Sequence, residues 1–273
     1  MNIARKTIES HDGLAIYYET HNLGSGKEVI FFVHGAGGDV DSWEFVRQPL
    51  IEKNFAGISM DLRGHGYSSH PRAAQKYQIE NLVKDILTIL GEEKIDKVVL
   101  IGHSYGAVVA ANFAIVHSNR LIKLVLISGA IKAPNYLKSK SRKVLVHAII
   151  SLAAKISPPQ VKKWHSPYPI GKFHKDYEVK GLIRTIFYNS WGSYLLTSKQ
   201  TIDLDLESKL NKISVPTLVI VGTKDSIFPL EVSRKIHEAI PNSKLEVIEG
   251  ANHVVILNHP KETVMLVSKF LNP

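Results

Sequence analysis

Three short runs in this 273-residue chain carry almost nothing polar: Val29–Val33 (VIFFV), Lys97–Ile101 (KVVLI, apolar after the lysine) and Thr217–Val221 (TLVIV). A strand wetted on one face alternates apolar with polar residues. A run without alternation belongs to a strand covered on both faces, which is the setting of a parallel sheet between two layers of helices. Gly57–Met60, Leu124–Ile127 and Leu245–Ile248 read as further strands. The stretches Ser42–Lys53, Ile79–Leu90, Ala107–Val116 and Leu230–Ile240 lie between them and have helical spacing. Lys261–Leu271 closes the chain as a helix, with Pro260 suited to its first turn. The start differs, because Thr7–Glu9 and Leu14–Thr20, joined by His11-Asp12-Gly13, read as a hairpin.

Between Ile131 and about Asp205 this rhythm stops. The segment reads as several helices and a proline-rich loop from Ser157-Pro158-Pro159 to Ser166-Pro167-Tyr168-Pro169. It holds 13 Lys/Arg against four acids, so it carries the whole net charge of +9, and the remaining residues balance at 21 of each sign. Such a shift predicts a core over 1–130, a helical insertion over 131–205, and the rest of the core over 206–273.

Composition narrows the chemistry. There is no cysteine, which excludes disulfides, thiolate catalysis and Cys-ligated zinc. No cofactor or metal motif is found, and neither glycine-rich stretch, HGAGG or DLRGHG, has the phosphate-loop pattern. Met1–Ser10 lacks the apolar run of a secretory signal, and Val144–Ala154 is too short to span a bilayer, so a cytoplasmic protein is expected.

Gly102-His103-Ser104-Tyr105-Gly106 follows a strand and opens a helix, a context in which a serine hydroxyl is presented clear of the sheet. A hydroxyl needs a base to become a nucleophile. His253 follows the last strand, and loops at strand C-termini share one edge of a parallel sheet. His259, beside Pro260, is the nearest competitor; His34, His65 and His103 read as core or surface residues. Asp225, just past TLVIVGT, is placed to orient the base, although an acid there also suits a turn or helix cap. The backbone N–H groups of Ala36, in His34-Gly35-Ala36-Gly37-Gly38, and of Tyr105 are the candidate oxyanion donors.

Taken together, HGAGG, DLRGHGYS, GHSYG, GTKD and GANH, in this order after strands three, four, five, seven and eight, resemble the α/β-hydrolase superfamily over nearly all the chain outside 131–205. The resemblance implies an eight-stranded, mostly parallel sheet and makes the insertion after the sixth strand a cap. It also implies that Asp61, Arg63, Gly64, Gly66 and Trp43 are structural. Ser104 argues against the haloalkane dehalogenases and most epoxide hydrolases of this fold, which use aspartate. GHSYG also differs from the GNSxG, GGSWG and GFSMG of carbon–carbon hydrolases, proline iminopeptidases and haloperoxidases. The expectation is a serine carboxylesterase or monoacylglycerol-lipase-like enzyme for small to medium acyl esters. The alternatives are a carbon–carbon hydrolase, another serine-triad hydrolase, or a ligand receptor on the same scaffold.

The expected partner is a small-molecule ester; no nucleic-acid motif is present. The basic, apolar stretch Lys138–Ala154 reads in three ways: a helix packed on the core with solvated lysines, the lining of an acyl pocket, or a peripheral contact with an anionic membrane.

Overall fold

The computed structural model describes residues 2–132, 139–157, 165, 168, 176 and 190–272. Eight strands form one sheet: β1 (Ile3–Glu9), β2 (Ala15–His21), β3 (Val29–Val33), β4 (Ala56–Met60), β5 (Val98–His103), β6 (Leu121–Ile127), β7 (Thr217–Gly222) and β8 (Ser243–Ile248). Their order is β1-β2-β4-β3-β5-β6-β7-β8. β1 and β2 form the expected hairpin, β2 pairs antiparallel with β4, and every later pairing is parallel. Gly13 makes the hairpin turn at φ +82°, where a side chain would be strained.

The helices are α1 (Glu44–Glu52), α2 (Ile79–Glu92), α3 (Tyr105–His117), α4 (Lys140–Ile156), α5 (Trp191–Lys199), α6 (Leu230–Ala239), α7 (Val255–Asn258) and α8 (Pro260–Leu271). Alternation along β3 shows why both faces are dry. Phe31 and Val33 join the core under α2, α3 and α6, while Ile30 and Phe32 join the core under α1, α7 and α8. All four are fully buried. Fully burying such side chains stabilises by about 1.5–3 kcal/mol each.

Several boundaries differ from expectation, β1 the most, since it begins at Ile3 rather than Thr7. Ser42–Lys53 is a 3-10 turn over Val40–Trp43 followed by α1, because Asp39 caps the turn by accepting the Asp41 N–H at 3.0 Å. α3 begins at Tyr105, two residues before the apolar spacing starts. β5 runs on through Gly102 and His103, which pair with Leu126 and Ile127. β6 begins at Leu121 because Lys123, though polar, reaches the last carbonyls of α8, at 3.0 Å to Phe270 and 2.8 Å to Leu271.

After β6 the chain leaves the core and returns near residue 206. The two ends are held together by a bridge between Lys132 and Asp205, by the Leu206 N–H donating to Ile131 O at 2.8 Å, and by Lys132 with Glu207 at 2.8 Å. Between them, α4 packs on α5, and Tyr77 of the core bonds Ser193 of α5 at 3.0 Å. Most of the proline-rich loop lies outside the described residues. No helix among the described residues is long and apolar enough to cross a membrane.

Candidate active site

Ser104 joins β5 to α3 with φ 53° and ψ −118°, a conformation that L-residues rarely adopt. Its N–H donates to Ile127 O at 2.9 Å, which ties the turn to β6. The flanking glycines are required by backbone. A Cβ on Gly102 would lie 2.3 Å from Gly106 O, and one on Gly106 would lie 2.1 Å from Val33 O. The clearance they provide is therefore between β5, the first turn of α3 and β3, rather than around the serine side chain itself.

The three residues singled out in the sequence meet at the C-terminal edge of the sheet. His253 Nε2 lies 2.8 Å from Ser104 Oγ, and its Nδ1 lies 3.0 and 3.1 Å from the two carboxylate oxygens of Asp225. Asp225 is at once a turn former and the partner of His253, since its Oδ1 also accepts the N–H groups of Ile227 (3.0 Å) and Phe228 (2.8 Å). Burial opposes the charge of this carboxylate. Its bonds to His253 and to the Phe228 N–H outweigh burial and hold it below the usual carboxylate range. An ionised Asp225 makes Nδ1 of His253 the donor, leaving Nε2 as the acceptor for the serine proton. His259 stands apart, bonded to Glu262 at 3.4 Å.

The loop His34–Gly38 lies against the serine: a Cβ on Gly35 would be 3.0 Å from Ser104 Cβ. Two buried histidines hold it. His34 donates from Nδ1 to Gly35 O at 2.7 Å and accepts the Leu62 N–H on Nε2 at 3.0 Å. His65 donates from Nδ1 to Arg63 O at 2.9 Å and accepts the Gly37 N–H on Nε2 at 3.0 Å. Burial pushes His34 well below its ordinary pKa and His65 down to about 4, so both are neutral and their tautomers are set by these bonds. His103, also pushed to about 4 by burial, donates from Nε2 to His253 O at 2.9 Å. All three are core residues, as expected, and each braces a loop of the site. The Ala36 N–H has no acceptor among the described residues, and the Tyr105 N–H, first in α3, has none within the helix.

Asp61 and Arg63 brace the same edge. Asp61 accepts the N–H groups of Val40 (2.9 Å) and Tyr67 (2.8 Å). Arg63, fully buried, places its guanidinium on two carboxylates: Asp85 at 2.6 and 2.7 Å, and Asp12 at 2.7 and 2.9 Å. Trp43 packs edge-on to His103 with ring centroids 6.5 Å apart.

Sequence reasoning missed two residues of the inserted segment. Asp176 bonds the backbone of His253 and of Ser226, and His165 Nε2 lies 2.7 Å from Asp61 Oδ2. Neither sits in a motif. The only signal for Asp176 was that it is one of four acids in a strongly basic stretch.

A mostly parallel eight-stranded sheet covered by helices on both faces, with serine, histidine and aspartate gathered at one edge, defines an α/β-hydrolase. The chain matches the Hydrolase_4 family model, described as serine aminopeptidase S33, over residues 24–260, and it belongs to that family. It is 25% identical to the AB hydrolase superfamily protein YisY of Bacillus subtilis, over 97% of this chain and 98% of that one. Among solved structures it resembles the enol-lactonase from Burkholderia xenovorans LB400 (TM-score 0.77, 22% identity, 98% of this chain and 100% of that chain). It likewise resembles the esterase EaEST from Exiguobacterium antarcticum (TM-score 0.75, 22% identity, 98% and 100%).

Proposed function

We propose that the protein is a serine esterase that hydrolyses carboxylic esters of small to medium acyl chain through an acyl-enzyme. The observation that carries this reading is the continuous bonded line from Ser104 Oγ through the His253 imidazole to the Asp225 carboxylate. Ser104 Oγ attacks the ester carbonyl while Nε2 of His253 takes its proton, and Asp225 stabilises the resulting imidazolium. The tetrahedral oxyanion is received by the N–H groups of Ala36 and Tyr105, the latter at the positive end of α3. The imidazolium then protonates the departing alcohol. Water, deprotonated by the same nitrogen, releases the acid and restores the serine. Of the inserted segment, Asp176 and His165 reach this edge, on the backbone of His253 and on Asp61. The family's serine hydrolases and the fold shared with an esterase support the assignment.

The test is labelling with a fluorophosphonate, followed by turnover of p-nitrophenyl esters from acetate to laurate and of an aminoacyl p-nitroanilide, on wild type and Ser104→Ala. Expected are labelling at Ser104 only, ester turnover that the variant loses, and no amide turnover. Labelling with amide turnover alone, or with none, overturns the ester assignment. Ester turnover that survives in Ser104→Ala overturns the nucleophile.

A further inference from the structure

Ten large hydrophobic side chains are exposed among the described residues, and five of them belong to one helix of the inserted segment: Val144, Leu145, Ile149, Leu152 and Ile156 of α4. Their exposures run from 57% to 71%, whereas a core-facing helix of this length ordinarily hides its apolar side. α4 has hidden one side already. Ala154 is buried against the segment, Lys143 and His147 bond Asp203 at 3.1 and 2.7 Å, and Ser151 accepts from Lys199 at 2.6 Å. The helix is thus anchored on one face and apolar on the other.

The outer face has a definite layout. At 100° per residue, Ala148, Leu152, Leu145, Ile156 and Ile149 fall in an arc of about 100°. Arg142 borders one edge of that arc and Lys155 and Val144 the other, while Lys140, in the first turn, falls on the anchored side. Lys140, Arg142 and Lys155 are exposed, and unlike Lys143 none has an acidic partner among the described residues. A strip of aliphatic side chains between two cationic borders is complementary to a surface that is apolar below and negative above. Long cationic stems reach along the aliphatic strip while their charges stay at its rim. A second copy of this chain fits less well, because a two-fold contact would set the same positive borders against each other.

We infer that α4 is a docking face for an anionic lipid surface, on which it lies in plane with its outer row sunk among the headgroups. The net +9 of residues 131–205 adds long-range attraction to the same surface. The inference stands apart from the esterase assignment, since its readout is partition and needs no turnover.

The experiment is flotation of the full chain with phosphatidylcholine vesicles, with and without phosphatidylglycerol. The variants are Leu145→Gln/Leu152→Gln and Arg142→Glu/Lys155→Glu. Circular dichroism and thermal melting check that each folds. Expected are binding to the anionic vesicles alone, weakening as salt screens the charges, and a loss of roughly tenfold or more in partition for either variant. Four results overturn the proposal: no binding to anionic vesicles, equal binding to neutral ones, unchanged binding of the Leu145→Gln/Leu152→Gln chain, or a wild-type dimer that this double substitution converts to monomer.

Discussion

The carboxylate of Asp176 accepts the backbone N–H of His253 at 2.6 Å on one oxygen, and on the other it takes both the N–H and the hydroxyl of Ser226 at 2.7 Å. A single side chain from the inserted segment thereby spans the loop after β8 and the loop after β7, next to Asp225. Its removal leaves the three reacting groups present but frees two of the loops that carry them.

Asp176→Ala is therefore expected to lower kcat by roughly 10–100-fold, since small misplacements at reacting groups cost on that order. KM should change less. Asp176→Asn keeps one acceptor oxygen and should recover part of the loss. Steady-state ester kinetics on the three proteins decide it: equal kcat values would show that the clasp does not position His253.

A pH effect follows from His165. Burial disfavours its charge, but the bond to Asp61 and the negative charges of Asp61, Asp39 and Asp41 prevail and lift it to about 8 from an ordinary 6.5. Its folded value lies above its unfolded one, so the contribution of this pair is fully present below about pH 6.5 and is lost as pH rises through about 8. Limited proteolysis within 131–205 should quicken between these limits in wild type. His165→Gln should be cleaved at similar rates across them, when both proteins are digested side by side at each pH.

Gly106→Ala puts a methyl 2.1 Å from Val33 O and 2.6 Å from His34 O, so β3 and α3 must part. The expected result is a large loss of stability, on the order of 3 kcal/mol or more as for other overpacked cores, with activity lost in whatever folds. Gly91→Ala, where an added Cβ meets nothing within 4 Å and the residue lies in α2, should instead be neutral or slightly stabilising. Chemical denaturation of the pair provides the comparison.

Arg63→Met strands the Asp85 carboxylate beside an uncharged side chain, whereas Asp12 keeps Lys76 at 3.0 Å. Breaking a buried ion pair in this way costs about 3–5 kcal/mol. The double change Arg63→Met/Asp85→Leu should regain part of it, because the more deeply buried of the two charges is then gone. Denaturant midpoints that fall equally for both would argue against charge burial as the cause.

What could be read in advance divides along physical lines. Apolar runs and strand-end order placed Ser104, Asp225 and His253 on one edge because a parallel sheet leaves little freedom in where its C-terminal loops emerge. Lys123 hid the start of β6, since nothing local shows that a lysine will find the carbonyls at the far end of the chain. Asp176 and His165 were invisible for the same reason: each acts across 77 and 104 residues of sequence, on His253 and Asp61. For α4, hydrophobicity alone marked an apolar helix, and only its packing shows which side is left to solvent.

The backbone of Ser104, at φ +53°, sits where glycine alone rests easily. A Ser104→Gly chain would lose its hydroxyl and gain comfort, so endurance and reactivity pull this one position in opposite directions. Any hunt for hardier variants scored only by melting temperature would drift here toward an inert protein, and a screen that also watches turnover would hold the serine in place.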